Sequence, residues 1–240
     1  MEPISIYYCF KFAEEVEEIF QLRLDPQTYE LIADTSEQPA RWTRLEFHQC
    51  SHCPLSPDTH PYCPLAINLE QIVKRFHTLL PYQEVHLDVI TDERMFSQDT
   101  TIQAAVGSMM GLVMATSRCP YTLYFRPMAR FHLPLSGTTE TIYRSASMYL
   151  MSQYFLSKEG RPLDLDLRGL AEIYENVHTV NATLAERLLD ASQKDSSIDA
   201  VVQLDIYAMT FLGIPEEPLE EMRPLFEPYF HTPPWRKDDL

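Results

Sequence analysis

The sequence predicts an α+β fold: an N-terminal antiparallel β-sheet, read as a meander, packed on a mostly helical C-terminal part. Three observations lead there. Short runs of β-branched and aromatic residues with period two crowd the first hundred positions. Beyond them, apolar residues recur at helical spacing over long stretches. Strand and helix patterns do not alternate regularly, which argues against a doubly wound parallel sheet. The 240 residues read as a single domain. Its expected parts are a β-rich segment over 1–100 with a cysteine-rich loop at 48–64, a helical segment over 101–232, and a frayed tail over 233–240.

Taken in order, Ile4 to Phe12 reads as a strand. Glu18 to Asp25 alternates Phe20, Leu22 and Leu24 against Ile19, Gln21 and Arg23 and reads as a second. Asp25-Pro26-Gln27-Thr28 is a turn with proline at its second position. Tyr29 to Ala33 is expected to return as a third strand, and Trp42 to Phe47 as a fourth or as an extended entry to the cysteine-rich loop. A helix is predicted from about Ile67 to Leu80, then strands at Val85 to Ile90 and from Arg94. Ile102 to Thr116 is the most apolar stretch and reads as a buried central helix. Its small residues Ala104, Gly107, Ser108, Gly111 and Ala115 suit close approach of a neighbouring helix. Tyr121 to Leu133 reads as extended and aromatic. Thr138 or Thr139 is expected to cap a helix that ends near Gly160. Amphipathic helices follow at Leu165 to Ala191 and Asp195 to Leu212, then a short one at Leu219 to Phe226.

Net charge is −16, from 19 basic and 35 acidic side chains. Binding to nucleic acid is not expected, because phosphate contacts need clustered cations. No run is long and apolar enough for a membrane span, and the N-terminus shows no secretory pattern. These features place the expectation in a reducing cytoplasm, where clustered cysteines point to metal or redox chemistry rather than disulfides. The acidic, proline-spaced C-terminal segment leaves room for a protein partner.

The stretch from His48 to Pro64 carries three of the five cysteines and three of the eight histidines, with no helix or strand period. Cys50-x2-Cys53 is a chelating pair, and Cys63 follows across a proline-bearing loop. Cys119 is the expected fourth ligand, because Cys53, Cys63 and Cys119 are each followed by proline; His48, His52 and His60 are the alternatives. Four thiolates, or three with an imidazole, suit a structural zinc site. The alternatives are an iron–sulfur cluster, a thiol redox pair and reduced cysteines with no metal. Cys9, inside the first strand, reads as a small buried apolar residue.

A second constellation is Arg126, Arg130 and His132, with Glu140 and Arg144 on the following helix. If 126–133 is extended, the first three share one face and form an anion-binding surface with Arg144, His132 serving as acid or base. The competing reading is an Arg–Glu ion-pair network. Asp164, Asp166 and the acidic run at 216–221 read as solvated helix starts. There is no glycine-rich phosphate loop, nucleophile elbow or His-Glu-x2-His.

The set Cys50-x2-Cys53-Pro-Leu, Cys63-Pro, Met114-Ala-Thr-Ser-x-Cys119-Pro, Arg126-Pro-Met-x-Arg130-Phe-His132-Leu-Pro, Glu140-Thr-x-Tyr143-Arg144 and Tyr149-Leu-x2-Gln153-Tyr154 resembles an uncharacterised bacterial family, a domain of unknown function. The resemblance implies one bacterial cytoplasmic unit and supplies no activity. In the family pattern a glycine precedes the third Cys-Pro; Arg118 stands there here, which leaves the turn geometry open.

Overall fold

The computed structural model describes residues 2–12, 17–32, 38–76, 79–191, 196–209 and 216–231. The expected frayed tail at 233–240 lies outside them, as do the ends of several predicted elements. Strands β1 (Ile4–Lys11), β2 (Glu17–Leu24), β3 (Glu84–Ile90) and β4 (Met95–Thr101) form one antiparallel sheet in the order β2-β1-β3-β4. Two hairpins are joined along β1 and β3, because the helix α1 (Pro64–Phe76) carries the chain from the β2 edge back to the centre. The helices α2 (Ile102–Thr116), α3 (Arg126–Arg130), α4 (Thr138–Lys158), α5 (Arg168–Ala191), α6 (Ser196–Met209) and α7 (Glu216–Met222) complete the described elements. The fold is α+β, as the patterning predicts. No described helix is long and apolar enough to cross a membrane.

One sheet face packs on helices. Ile6, Tyr8 and Phe10 of β1 and Val85, Leu87 and Val89 of β3 are buried, at alternate positions, against Leu69, Ile72 and Phe76 of α1 and Met109, Met110 and Val113 of α2. Phe10, Phe20 and Phe76 form an aromatic triangle with centroids 4.7–6.0 Å apart. β4 runs directly into α2 because Thr101, the last strand residue, also caps the helix, its hydroxyl accepting from the Ala104 amide at 3.4 Å. The small-residue stripe of α2 meets α6: a methyl on Gly107 would sit 3.7 Å from the Ala200 carbonyl oxygen, and one on Gly111 3.4 Å from Leu204. A smaller cluster joins Ile142 and Ala146 of α4, Leu170, Tyr174 and Val177 of α5, Ala208 and Met222.

Four local expectations are corrected. Of the expected strand Tyr29 to Ala33, the described residues 29–32 contribute an isolated bridge, Leu24 to Leu31, and no strand. Asp25 accepts from the amides of Gln27 and Thr28, Tyr29 turns left-handed at φ 56°, and the Leu31 amide goes to the carbonyl of Thr116. Trp42 to Phe47 opens with a 3-10 turn at Arg41–Thr43, not a strand. Tyr121 to Leu133 is not extended: Leu123–Phe125 is a 3-10 turn and Arg126–Arg130 is α3. Pro127 sits in the first helical turn, where its missing N–H costs nothing. Gly137, not Thr138 or Thr139, caps α4, its amide donating to the Glu140 carboxylate at 2.9 Å.

Candidate functional site

Cys50, Cys53 and Cys63 of the 48–64 loop and Cys119 after α2 line one small cavity of about 30 Å3. The 3-10 turn and an Arg44–Tyr62 bridge fold the cysteine-rich loop back on itself, and the Cys63 amide donates to the carbonyl of Thr43 at 2.8 Å, just before α1 begins. Cys119 follows α2 at a turn in which Arg118 is left-handed, φ 70°. Tyr121 ties the two together. Its hydroxyl donates to the His52 carbonyl, and its ring stacks on the His52 ring at 4.0 Å. Leu45, Leu55, Leu65, Val180 and Leu184 make the apolar part of the remaining wall, and Thr183 and Arg187 its polar part.

Of the four side chains considered as fourth ligand, Cys119 lines this cavity; His48, His52 and His60 are not among its lining residues. His48 bonds Asp190 at 2.6 Å and His60 bonds Thr59 at 2.9 Å. His52 has both ring nitrogens buried without a partner. All five cysteines are free. Among the described residues, no group of three or more His, Cys, Asp or Glu side chains is arranged to hold a metal ion. Burial pushes the Cys50 thiol up, and carries Cys119 to about 11, so both are neutral thiols unless a cation draws off the proton.

Against this cavity lies Arg187 of α5, only 2% exposed. It donates to the carbonyls of Trp42, Arg44 and Leu45 at 2.7–3.0 Å, and among the described residues no carboxylate pairs with it. Desolvation lowers its affinity for the proton; negative charge on Cys63, Cys50 or Cys53 would restore it. No sequence pattern singles out this arginine; it belongs to an amphipathic helix.

The Arg-His constellation is divided by the fold. Arg126 pairs with Glu30 at 2.8 Å and Arg130 with Glu93 at 3.0 Å; both carboxylates lie before this segment in the chain, not on α4. Arg126 and Arg130 stand four apart on α3 and are held by different carboxylates, and His132 lies beyond the helix, so the extended face expected for the three does not form. His132 and Arg144 do come together, on a cavity of about 440 Å3 between α2, α3, α4, α5 and α6. The His132 Nε2 bonds the Tyr8 hydroxyl, which also meets Ser108 at 3.2 Å. Burial, with the charge of Arg144 beside it, pulls His132 down to about 3, so the imidazole is neutral at physiological pH. Asp164, expected at a helix start, accepts from the Gly169 amide at 2.7 Å and from the Tyr149 hydroxyl.

A third group is absent from the sequence reading. On the solvent face of the sheet, Asp88 accepts from Lys11 and from Ser97, both at 2.6 Å. His86 bonds Asp99 at 2.6 Å and Ser97 at 2.9 Å. The residues alternate on β1, β3 and β4, a signal visible only once the register is known. Although Ser, His and Asp stand in line, the serine proton is committed to Asp88, which makes the group a charge network rather than a nucleophile.

No curated protein matches the chain, and no solved structure does. One family profile does, over residues 6–227. That span is nearly the whole sequence, and the chain therefore belongs to the family described as a domain of unknown function, DUF6901.

Proposed function

We propose that the protein carries a metal centre held by Cys50, Cys53, Cys63 and Cys119, a zinc ion or an iron–sulfur cluster, with a structural or regulatory role. The observation that carries the reading is that four cysteines, three from the 48–64 loop and one from the turn after α2, surround one cavity beside a buried arginine that, among the described residues, has no carboxylate partner. Four neutral thiols leave Arg187 as an uncompensated buried charge, which is expensive. Four thiolates around a metal group carry net negative charge and remove that cost, since a metal deprotonates its thiol ligands outright.

Both groups suit four thiolates: a closed zinc site draws four sulfurs to about 2.3 Å from one ion, and cysteine thiolates, some of them followed by proline, hold iron–sulfur clusters. The cavity that the four cysteines line is small, about 30 Å3, so either group would draw the side chains into its own geometry. The centre would clasp the 48–64 loop, the start of α1 and the end of α2 to α5, so its assembly state would govern the order of those parts.

The test is iron, sulfide and zinc analysis with a visible spectrum, on protein purified without oxygen and reconstituted with iron and sulfide. Bound metal, lost in Cys119→Ser, is the expected result: one zinc per chain and no colour identifies a zinc site, and iron and sulfide with a brown colour identify a cluster. Folded protein that retains no metal would overturn the proposal.

A further inference from the structure

We propose that the cavity between α2 and α3–α6 binds an organic monocarboxylate, its carboxylate on Arg144, its apolar body against the α2 stripe, and a hydrogen-bond donor on the acid met by Asn181. At about 440 Å3 the cavity is of small-molecule size. The floor is made by Ala104, Gly107 and Gly111, which supply space by having almost no side chain, and the walls by Leu112, Val177 and Leu204. These surfaces take an apolar body and reject a strongly hydrated one.

Two polar groups on this cavity are left unsatisfied. Arg144 donates to the carbonyls of Met128 and Phe131 at 2.9 and 3.0 Å and to Ser136 at 3.5 Å. Those bonds leave two of its five N–H donors without a partner among the described residues, and no described carboxylate forms an ion pair with it. Desolvation already works against its charge, so an anion arriving there gains a charge-assisted bond in an apolar setting. Asn181 is 1% exposed, and its Oδ1 is buried with no hydrogen-bond partner. Its amide nitrogen faces the Asp205 carboxylate at 3.4 Å, so exchanging the two ends would set oxygen against oxygen; the free end is the acceptor. A buried acceptor without a donor is costly, and a ligand hydroxyl removes the cost. His132, neutral and tied to Tyr8, adds no second charge, which is why a monoanion is favoured over a dianion.

Calorimetric titration of the full chain tests this with 3-hydroxydecanoate and 3-hydroxy-2-naphthoate as flexible and compact acids, and decanol as the uncharged control. At least one acid should bind; Arg144→Gln should weaken it about tenfold or more, the loss of one charge-assisted bond, while decanol binding is unchanged. Ala104→Phe, which removes no polar group, should block acids and alcohol alike while the protein still melts cooperatively. Failure of both acids to bind folded wild-type protein at about 1 mM, or equal affinity for wild type and Arg144→Gln, would overturn the proposal. Neither result depends on metal content, so this site and the cysteine centre stand or fall separately.

Discussion

The guanidinium of Arg187 reaches across 143 positions of sequence to hold the carbonyl oxygen of Arg44 at 2.7 Å. With Trp42 and Leu45 it gathers three carbonyls of the turn that opens the cysteine-rich loop. The bonds to Trp42 and Leu45 are buried, so removing the donor leaves those two acceptors with neither protein nor water. Arg187→Met is expected to destabilise by at least about 3 kcal/mol, since each hydrogen bond to a buried charge contributes about 1.5–3 kcal/mol. Arg187→Lys, a single ammonium that cannot span three carbonyls, should recover only part. Urea unfolding measures both, and a loss below about 1 kcal/mol for Arg187→Met would contradict the role.

Below the unfolded value of about 6.5 for histidine, the unfolded chain takes up a proton at His132 that the folded chain refuses until about pH 3. The folded value is depressed, so stability from this residue is fully present at neutral pH and drains away as pH falls through that window. The slope is about 1.4 kcal/mol per unit for one group. His132→Gln, which keeps a hydrogen-bonding group at Tyr8, should lower stability at pH 7 and flatten the decline between pH 6.5 and 4 by that amount. Parallel urea midpoints for the two proteins across the range would show that His132 is protonated in the fold.

The same two residues show where sequence reading succeeds and where it stops. His132 and Arg144 are legible as candidates because arginine and histidine cluster around the start of α4, and the structure brings both to one cavity. Arg126 and Arg130 look equivalent in sequence, yet Glu30 and Glu93 neutralise them; neither partner is close in the chain. The extended reading of 121–133 failed because Leu123 and Phe125 satisfy period two, while Ala129 packs in the core by helical spacing and Pro127 fits a first helical turn. The strands and α2 were legible because their burial is dictated by their own patterns. Asn181, Ser108 and the β4 pairing of His86 were not, because only tertiary packing or register gives them neighbours.

On the open sheet face, the hydrogen bond that His86 donates to Asp99 raises the histidine above its ordinary value, with Asp88 adding to the effect. For a raised histidine the stabilisation is present below about pH 6.5 and is lost as pH rises through the folded value. Asp88 moves the other way: burial opposes its ionisation, but bonds from Lys11 and Ser97 outweigh it and hold it below the carboxylate range. Following the His86 ring protons by NMR should therefore give a titration above 6.5, shifted down by Asp99→Asn. A normal titration in the wild type would mean that the network does not persist in solution. Both groups are near the surface, so the shift should shrink with added salt.

Arg118 precedes Cys119 in a left-handed conformation, φ 70°, one that glycine adopts without steric cost and a side chain does not. Its guanidinium bonds Glu30 at 2.8 Å, but it is 70% exposed and Glu30 is also held by Arg126, so that pair contributes no more than about 1 kcal/mol. Arg118→Ala loses the ion pair and keeps the strain; Arg118→Gly loses the pair and relieves it. The glycine variant should therefore be more stable than the alanine variant by about 0.5–1 kcal/mol, the reverse of their order in a right-handed helix. Thermal melts of the two variants decide it. If alanine proves the more stable, the chain leaves the left-handed region at this turn, and Cys119 is aimed at the cavity by something other than the backbone of residue 118.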